Sequence, residues 1–285
     1  MPAPPRPPFS FLAKHLLTVA LLLSCACSSL AESPQKQNAK ETIPNVAPEL
    51  GYFEYCTKYG KRLDVMGRNS PSDVLTLRLD RHGILFIENY INKSKFPLQG
   101  IDTAEAEIDD NGVATLAKIK TLKLLNLSHA SISGKSALLL KALPNLQSLD
   151  LSSTEIGNAD IKHILELPAL NCLDLGRTEI DDKALVELSK KSSWKALRFH
   201  RTDVGISGVK ALDKQKQLEQ LSLGGTKIGS GNLKALQVFK NLADLDLSNT
   251  NIGDKDIADL LAMQSLQSLD VSNTSITDTG VAKLV

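Results

Sequence analysis

The 285-residue chain is poor in the residues that most often indicate a specific chemistry. Aromatic residues make up 4% of it, cysteine occurs four times, and the formal net charge is +1. A near-neutral chain has no general electrostatic attraction for nucleic acid. It has no Cys-x-x-Cys pair and no cysteine–histidine cluster, so the sequence does not support a zinc site. These absences argue against a nucleic-acid-binding protein and against a metalloprotein.

Motifs for catalysis are also missing. No Gly-x-Ser-x-Gly turn is present to expose a nucleophilic serine. The glycine-rich residues 224–230 lack the lysine directly before serine that a phosphate-binding loop requires. We therefore expect no catalytic residue, no cofactor, no metal and no enzymatic activity.

The first 31 residues have the features of an export signal. Arg6 and Lys14 make a basic start before an apolar run at residues 16–23, which is too short for a comfortable membrane span. Residues 22–25 resemble the lipobox of bacterial lipoproteins, in which Cys25 would be lipidated. Residues 29–31 form a competing small-x-small site that would release a soluble chain. An uncleaved hydrophobic anchor is the third alternative.

Two further segments precede the regular part of the chain. Residues 32–48 are polar with two prolines, which predicts a flexible linker. Residues 49–97 contain all four tyrosines and are predicted to form an N-terminal cap with a degenerate repeat. An aromatic ligand site is the alternative for the tyrosines.

A 24-residue repeat covers residues 98–285. Leucine is abundant, with 48 copies, and the spacing of Leu122, Leu125 and Leu127 recurs every 24 residues without insertion. The pattern gives eight units, the last one incomplete, and a degenerate unit near Val74. Alternating leucines predict a short strand, and apolar residues three apart predict a short helix. One such unit cannot bury a core alone, whereas stacked units form continuous leucine columns.

This pattern resembles the leucine-rich repeat family. The form T-x-I-x-D, as in Thr178, Ile180 and Asp182, is similar to repeats of bacterial exported proteins and to those of F-box substrate adaptors. Threonine stands where the family usually has asparagine or cysteine, and a ladder of threonine hydroxyls is the expected substitute. The resemblance implies an α/β solenoid, a curved horseshoe with a parallel β-sheet on the concave face and short helices on the convex face.

Aspartates recur where each helix is expected to begin. They are Asp110, Asp182, Asp254 and Asp278. We expect each one to be the N-cap residue of its helix. The alternative, a metal site, would need them to converge, whereas the repeat places them one per unit.

The residue between the last two leucines of each strand is expected to point into the concave face. This column of positions reads Asp102, Asn126, Asp150, Asp174, Arg198, Ser222, Asp246 and Asp270. Strands about 4.8 Å apart would stack Asp150 on Asp174 and Asp246 on Asp270 as like charges. These carboxylates are either solvated structural groups or a site for a cation or a basic partner.

The unit that begins at Trp194 departs most from the others. Arg198, His200 and Arg201, together with Arg177 from the preceding unit, are predicted to form a basic spot between acidic flanks. Arginine and tryptophan are favoured in binding hot spots. The alternative is a degenerate unit with a solvated face and Trp194 in the core.

These features predict an exported, non-catalytic protein-binding module that uses the concave face. The expected partner is a polar or charged protein and not nucleic acid. A membrane would be reached only through the N-terminus, if that segment is lipidated or uncleaved. The alternatives are an intracellular adaptor in the cytoplasm, similar to the F-box repeat proteins, and a structural envelope protein. Cys56 and Cys172 can pair only if their Cα atoms lie within about 7 Å.

Overall fold

The computed structural model describes residues 98–103 and 107–284, together with the backbone of two earlier strands, Tyr55–Cys56 and Thr76–Arg78. The predicted export signal, the candidate lipidation site Cys25 and the predicted linker lie outside the described residues. Most of the predicted cap lies outside them as well.

Ten short strands form one sheet in chain order. They are β1 (Tyr55–Cys56), β2 (Thr76–Arg78), β3 (Gly100–Asp102), β4 (Leu124–Asn126), β5 (Ser148–Asp150), β6 (Cys172–Asp174), β7 (Ala196–Arg198), β8 (Gln220–Ser222), β9 (Asp244–Asp246) and β10 (Ser268–Asp270). Strand β1 runs antiparallel to β2, and every later neighbour is parallel. Partners such as Leu149 and Leu173 are 24 residues apart, so each unit adds one strand.

Short helices connect the strands on the convex side. The α-helices are Asp110–Leu116, Gly134–Leu140, Ile161–Ile164, Asp182–Leu188, Ile206–Ala211, Ile257–Leu261 and Asp278–Leu284, and 3₁₀ turns occur at Asn158–Asp160, Leu233–Val238 and Asp254–Asp256. This architecture confirms the predicted α/β leucine-rich repeat solenoid. Among the described residues, every helix is too short to cross a lipid bilayer.

The core consists of the predicted columns of leucine. Leu149 and Leu151 are both completely buried, as are their counterparts in the next unit, Leu173 and Leu175. Each such side chain stabilises the fold by roughly 1.5–3 kcal/mol. Trp194 replaces the first leucine of its unit and is also completely buried. Its Nε1 donates a hydrogen bond to the Leu188 carbonyl at 2.9 Å, which satisfies the polar edge of the indole.

The threonine hydroxyls close the turn within each unit instead of forming a ladder between units. In Thr154 the hydroxyl donates to the Leu151 carbonyl at 2.6 Å, and in Thr178 it donates to the Leu175 carbonyl at the same distance. The four later threonines of the column repeat this bond to the residue three positions earlier. The turn after each of these strands is therefore fixed by a local bond.

The predicted helix N-caps are displaced by one residue. Asp109 and Asp181 have the extended backbone of an N-cap and accept hydrogen bonds from the main-chain N–H of Gly112 and Lys183. Asp110 and Asp182 are the first residues inside their helices, and likewise Asp254 begins a 3₁₀ turn and Asp278 begins its helix. At residues 109–110 and 181–182 two aspartates stand in succession, and the first of each pair has the extended φ and ψ of a cap. Before Asp254 the cap position with extended backbone is held by Gly253.

Three of these displaced aspartates connect neighbouring units. Asp182 Oδ1 accepts from the Gly205 N–H at 2.6 Å, and Asp254 accepts from both the N–H and the hydroxyl of Thr277. Asp110 accepts in the same way from the N–H of Ser133. Each carboxylate thus holds the N-cap region of the following unit, a role that the spacing within one unit does not indicate.

The sheet order excludes a disulfide between Cys56 and Cys172 within one chain. Cys56 lies on β1 and Cys172 on β6, with four strands between them. Strands are spaced by about 4.8 Å, so the two residues are separated by about 24 Å. A disulfide requires Cα atoms within about 7 Å.

Candidate functional site

The strand register brings opposite charges together in the middle of the concave face. Asp150 on β5 pairs with Asp174 on β6, and Asp174 pairs in turn with Arg198 on β7. A second register pair, Asp246 with Asp270, lies at the C-terminal end of the sheet. The concave column therefore contains an acid–acid–base row at its centre and an acidic pair at its end.

The aspartates of this column also have a structural role. Asp150 Oδ1 accepts a hydrogen bond from the Ser152 N–H at 2.8 Å, and Asp174 Oδ1 accepts from the Gly176 N–H at the same distance. Asn126, Asp246 and Asp270 make the equivalent bond to the residue two positions later. The sequence signal for this role was visible as an Asx-type turn, Asp or Asn followed two residues later by Ser or Gly. One oxygen of each carboxylate is thus committed to the turn.

Burial distinguishes the central pair from the rest of the column. Asp150 is 7% exposed and Asp174 is 4% exposed, whereas Asp270 is exposed. Loss of hydration raises the pKa of each central carboxyl to about 6, and for Asp150 the negative charge of Asp174 adds to the rise. The Arg198 guanidinium opposes the rise in both pKa values. The two carboxyls share a site in which full ionisation is costly.

His200 lies directly beside this pair. Its Nδ1 is 3.8 Å from Asp174 Oδ1, and its ring lies over the backbone of Gly176. A Cβ at residue 176 would lie 1.9 Å from His200 Cε1, so only glycine leaves room for the ring in this position. Burial lowers the pKa of His200, and the charge of Arg177 lowers it further. The absent side chain at Gly176 was not recognised from the sequence as part of the site.

The four predicted basic residues fall into two groups. Arg198 is half-buried on the sheet with His200 next to it, whereas Arg177 and Arg201 are exposed in the turns that follow β6 and β7. Both arginines have left-handed backbone with φ of 55° and 54°. Their main-chain N–H groups bond to the next unit, so the turn fixes the Cα positions while the side chains extend into solvent.

The second acidic pair, Asp246 and Asp270, is less buried than the central pair. The Ser222 hydroxyl donates to Asp246 Oδ2 at 2.7 Å, which gives that carboxylate a second partner within the sheet. Asp270 is exposed on β10, the last strand of the sheet, where its neighbours Leu269 and Val271 are only partly buried. Trp194, which the sequence left open as a binding residue, is in the core and does not reach the concave face.

The central site can recognise charge and hydrogen-bonding groups. The half-buried guanidinium of Arg198 can donate two parallel hydrogen bonds to an anionic group, and the carboxylates beside it can accept from a cationic group. Among residues 98–103 and 107–284, no group of three or more metal-ligating side chains comes together.

Comparison with known proteins agrees with the repeat register and the fold. The leucine-rich repeat family model matches residues 142–165 and 262–285. An internalin of Listeria monocytogenes, inlF, superposes with a TM-score of 0.53 at 24% identity, covering 66% of this chain and 52% of that one. A second internalin from the same organism, inlC2, gives a TM-score of 0.54 at 21% identity, covering 72% of this chain and 90% of that one.

This chain thus spans about half the length of inlF, and at such identities the likeness concerns the fold. No curated protein matches the chain in sequence. Two units of the chain thus match the leucine-rich repeat model, and the unbroken 24-residue register and the parallel solenoid show that the chain has the leucine-rich repeat fold.

Proposed function

We propose that this protein is an exported, non-catalytic module that binds a charged protein partner through the centre of its concave face. The observation that carries the proposal is the row of Asp150, Asp174 and Arg198, with His200 held over Gly176. A solenoid holds such side chains on strands that are fixed on both sides. Little conformational entropy is then lost when a partner binds.

Charge complementarity gives the expected chemistry of the partner. Arg198 and Arg177 favour an acidic side chain on the partner, while the neighbouring carboxylates favour a basic one. Export is supported by the charge and length of residues 1–31 and not by the solenoid itself. If the N-terminus is retained in the cytoplasm, the same surface would act in an adaptor.

Site-specific photocrosslinking in the native host tests this proposal. A crosslinker at Ser222, which lies next to Arg198 in the register, should capture one partner protein. The same probe at Val186, an exposed convex residue, should not capture it. Mass spectrometry then identifies the partner and its compartment. Equal capture from both positions, or none from either, would contradict binding at the concave face.

The captured partner allows a direct test of the basic residues. Charge reversal of Arg198 together with Arg201 should abolish binding without unfolding the solenoid. Because reversal at Arg198 adds a carboxylate beside Asp174, the double glutamine variant provides a second measurement with less electrostatic strain. The double reversal Lys162→Glu and Lys210→Glu on the convex helices is the control with the same net charge. Unchanged affinity in the Arg198 and Arg201 variants would refute their role.

A further inference from the structure

The parallel sheet separates the connecting segments into two opposite edges of the solenoid. Segments that lead from a helix into a strand all lie along one edge, because every strand from β2 to β10 points the same way. We call this edge the entry rim. It comprises residues 117–123, 141–147, 165–171, 189–195, 212–219, 239–243 and 262–267.

The entry rim is strongly basic, although the chain as a whole is almost neutral. It contains ten lysines and three acidic residues. The lysines are Lys118, Lys120, Lys123, Lys141, Lys190, Lys191, Lys195, Lys214, Lys216 and Lys240. The described segments of the opposite edge, which lead from strand to helix, contain six acidic residues against two arginines and one lysine. The charge is therefore segregated across the solenoid.

Most of these lysines are available to a partner. Lys118, Lys195, Lys214 and Lys240 are exposed. Main-chain carbonyls position three others, Lys120, Lys191 and Lys216. In Lys216 the Nζ donates to the Asp213 carbonyl at 2.8 Å. Lys123 lies directly before β4 and Lys240 lies in the segment that leads into β9, so the row extends over five strand spacings, about 24 Å.

The composition of the rim indicates which anionic partner it suits. Every strong cation on it is lysine, a compact point charge, and none is arginine, whose planar fork is preferred for bidentate recognition of phosphate and nucleic acid. The two aromatic residues in these described rim segments, Trp194 and Phe239, are buried and cannot stack on bases. Diffuse attraction along a rigid edge is how basic protein surfaces bind anionic lipid headgroups.

We propose that the entry rim docks the solenoid edge-on to an anionic lipid surface. Docking at the rim leaves the concave face open, so this interaction does not compete with a protein partner there. It is peripheral and electrostatic, because no large apolar side chain accompanies the lysines on the described rim outside the core. The apolar residues 16–23, if they are retained, would add a tether that raises the local concentration at the same surface.

Vesicle flotation of the full-length chain tests the proposal. Binding is compared between vesicles of phosphatidylcholine alone and vesicles of phosphatidylcholine and phosphatidylglycerol in equal parts. The N-terminal apolar segment would contribute to both, so the difference between them isolates the electrostatic part. We expect preference for the anionic vesicles, falling steeply as ionic strength rises.

Two variants with equal net charge locate the binding surface. The rim variant carries Lys118→Glu, Lys195→Glu, Lys214→Glu and Lys240→Glu. The control carries Lys162→Glu, Lys183→Glu, Lys210→Glu and Lys234→Glu, all at exposed positions on the convex side. Partitioning of the rim variant onto anionic vesicles should fall by about 100-fold or more, and that of the control by far less. Circular dichroism checks folding, and the corresponding glutamine variants replace any variant that does not fold.

Three results would overturn the proposal. The first is equal binding of the wild-type chain to neutral and anionic vesicles. The second is an equal loss in the rim and control variants, which would show an effect of net charge alone. The third is displacement from vesicles by duplex DNA or heparin at equal charge concentration, which would identify a soluble polyanion as the preferred ligand.

Discussion

Replacing Asp174 by asparagine should stabilise the folded protein at neutral pH. Asp174 is buried beside Asp150, and burial raises the pKa of each carboxyl to about 6. Asparagine keeps the side-chain oxygen that accepts from the Gly176 N–H. Asn126 already makes the equivalent bond in the same column, so the amide fits this position of the repeat. The substitution thus removes a buried charge without removing the turn.

The magnitude follows from the difference between the folded and unfolded pKa values. Because the two carboxyls titrate as a coupled pair, the rise in pKa from 3.8 to about 6 sets an upper bound of about 3 kcal/mol on the cost of ionising Asp174 in the folded state. Because the folded state holds the proton more tightly than the unfolded state, the free energy of unfolding falls as pH rises. About half of the loss occurs up to about pH 5, and the other half occurs between about pH 5 and pH 7. Asp174→Asn removes this cost for one carboxyl and also removes the charge that raises the pKa of Asp150.

Urea denaturation at pH 4.5 and pH 8 measures the effect. We expect the variant to exceed the wild-type free energy of unfolding by about 1–3 kcal/mol at pH 8 and by much less at pH 4.5. Asp270→Asn is the matched control, since Asp270 makes the same turn bond but is exposed, and it should change stability by less than about 0.5 kcal/mol. A variant no more stable than wild type at pH 8, or equally stabilised at both pH values, would refute the reasoning.

Two further substitutions, the first paired with an exposed control, test the packing on the two faces of the sheet. Leu149→Ala in the completely buried core should lower the free energy of unfolding by about 2–5 kcal/mol, whereas Leu261→Ala, at a side chain 53% exposed, should cost less than about 1 kcal/mol in the same urea titration. Gly176→Ala should displace the His200 ring from the sheet, so that the pKa of His200, followed by NMR of its Cε1 proton, rises back towards its ordinary value. An unchanged titration in the alanine variant would contradict the placement of the ring over residue 176.

The sequence alone predicts the core and the sheet because both depend on spacing. Leucines at Leu122, Leu125 and Leu127 recur with an interval that never changes, so each strand must repeat the register of the previous one. One face of each strand is buried and its side chains alternate between the two faces, so only one strand register buries all the leucine columns. The fold class, the parallel order and the position of Trp194 in a leucine column all follow from this period.

Local hydrogen bonding is less predictable, because several residues at a turn could supply the same bond. At residues 109–110 two aspartates compete to cap one helix, and the backbone conformation decides between them. The second aspartate, Asp110, instead accepts a hydrogen bond from the next unit. Whether this bond forms depends on the distance between the two units and not on any feature of the unit that contains Asp110. Sequence spacing identifies the residue type at such positions but not its partner.

The candidate site is likewise predictable from the sequence only in part. The column that contains Asp150, Asp174 and Arg198 is predicted by the strand period, since every second residue of a strand shares a face. The burial of the two aspartates and the position of His200 depend on what neighbouring units leave open, including the missing side chain of Gly176. Such effects involve residues 24 positions apart and have no signature within one unit.

The period also explains how one small fold can present two independent surfaces. Within each unit the first and last residues of the strand face the concave side and the residues before the strand lie on the entry rim, while the buried leucine columns separate both from the helices. Charges at these two positions of the repeat are therefore free to vary without disturbing the core or each other. In this chain the first position collects Asp150, Asp174 and Arg198, and the second collects lysines. A partner protein on the concave face and an anionic surface at the rim would then bind with little coupling, because sites without shared contacts contribute almost additively.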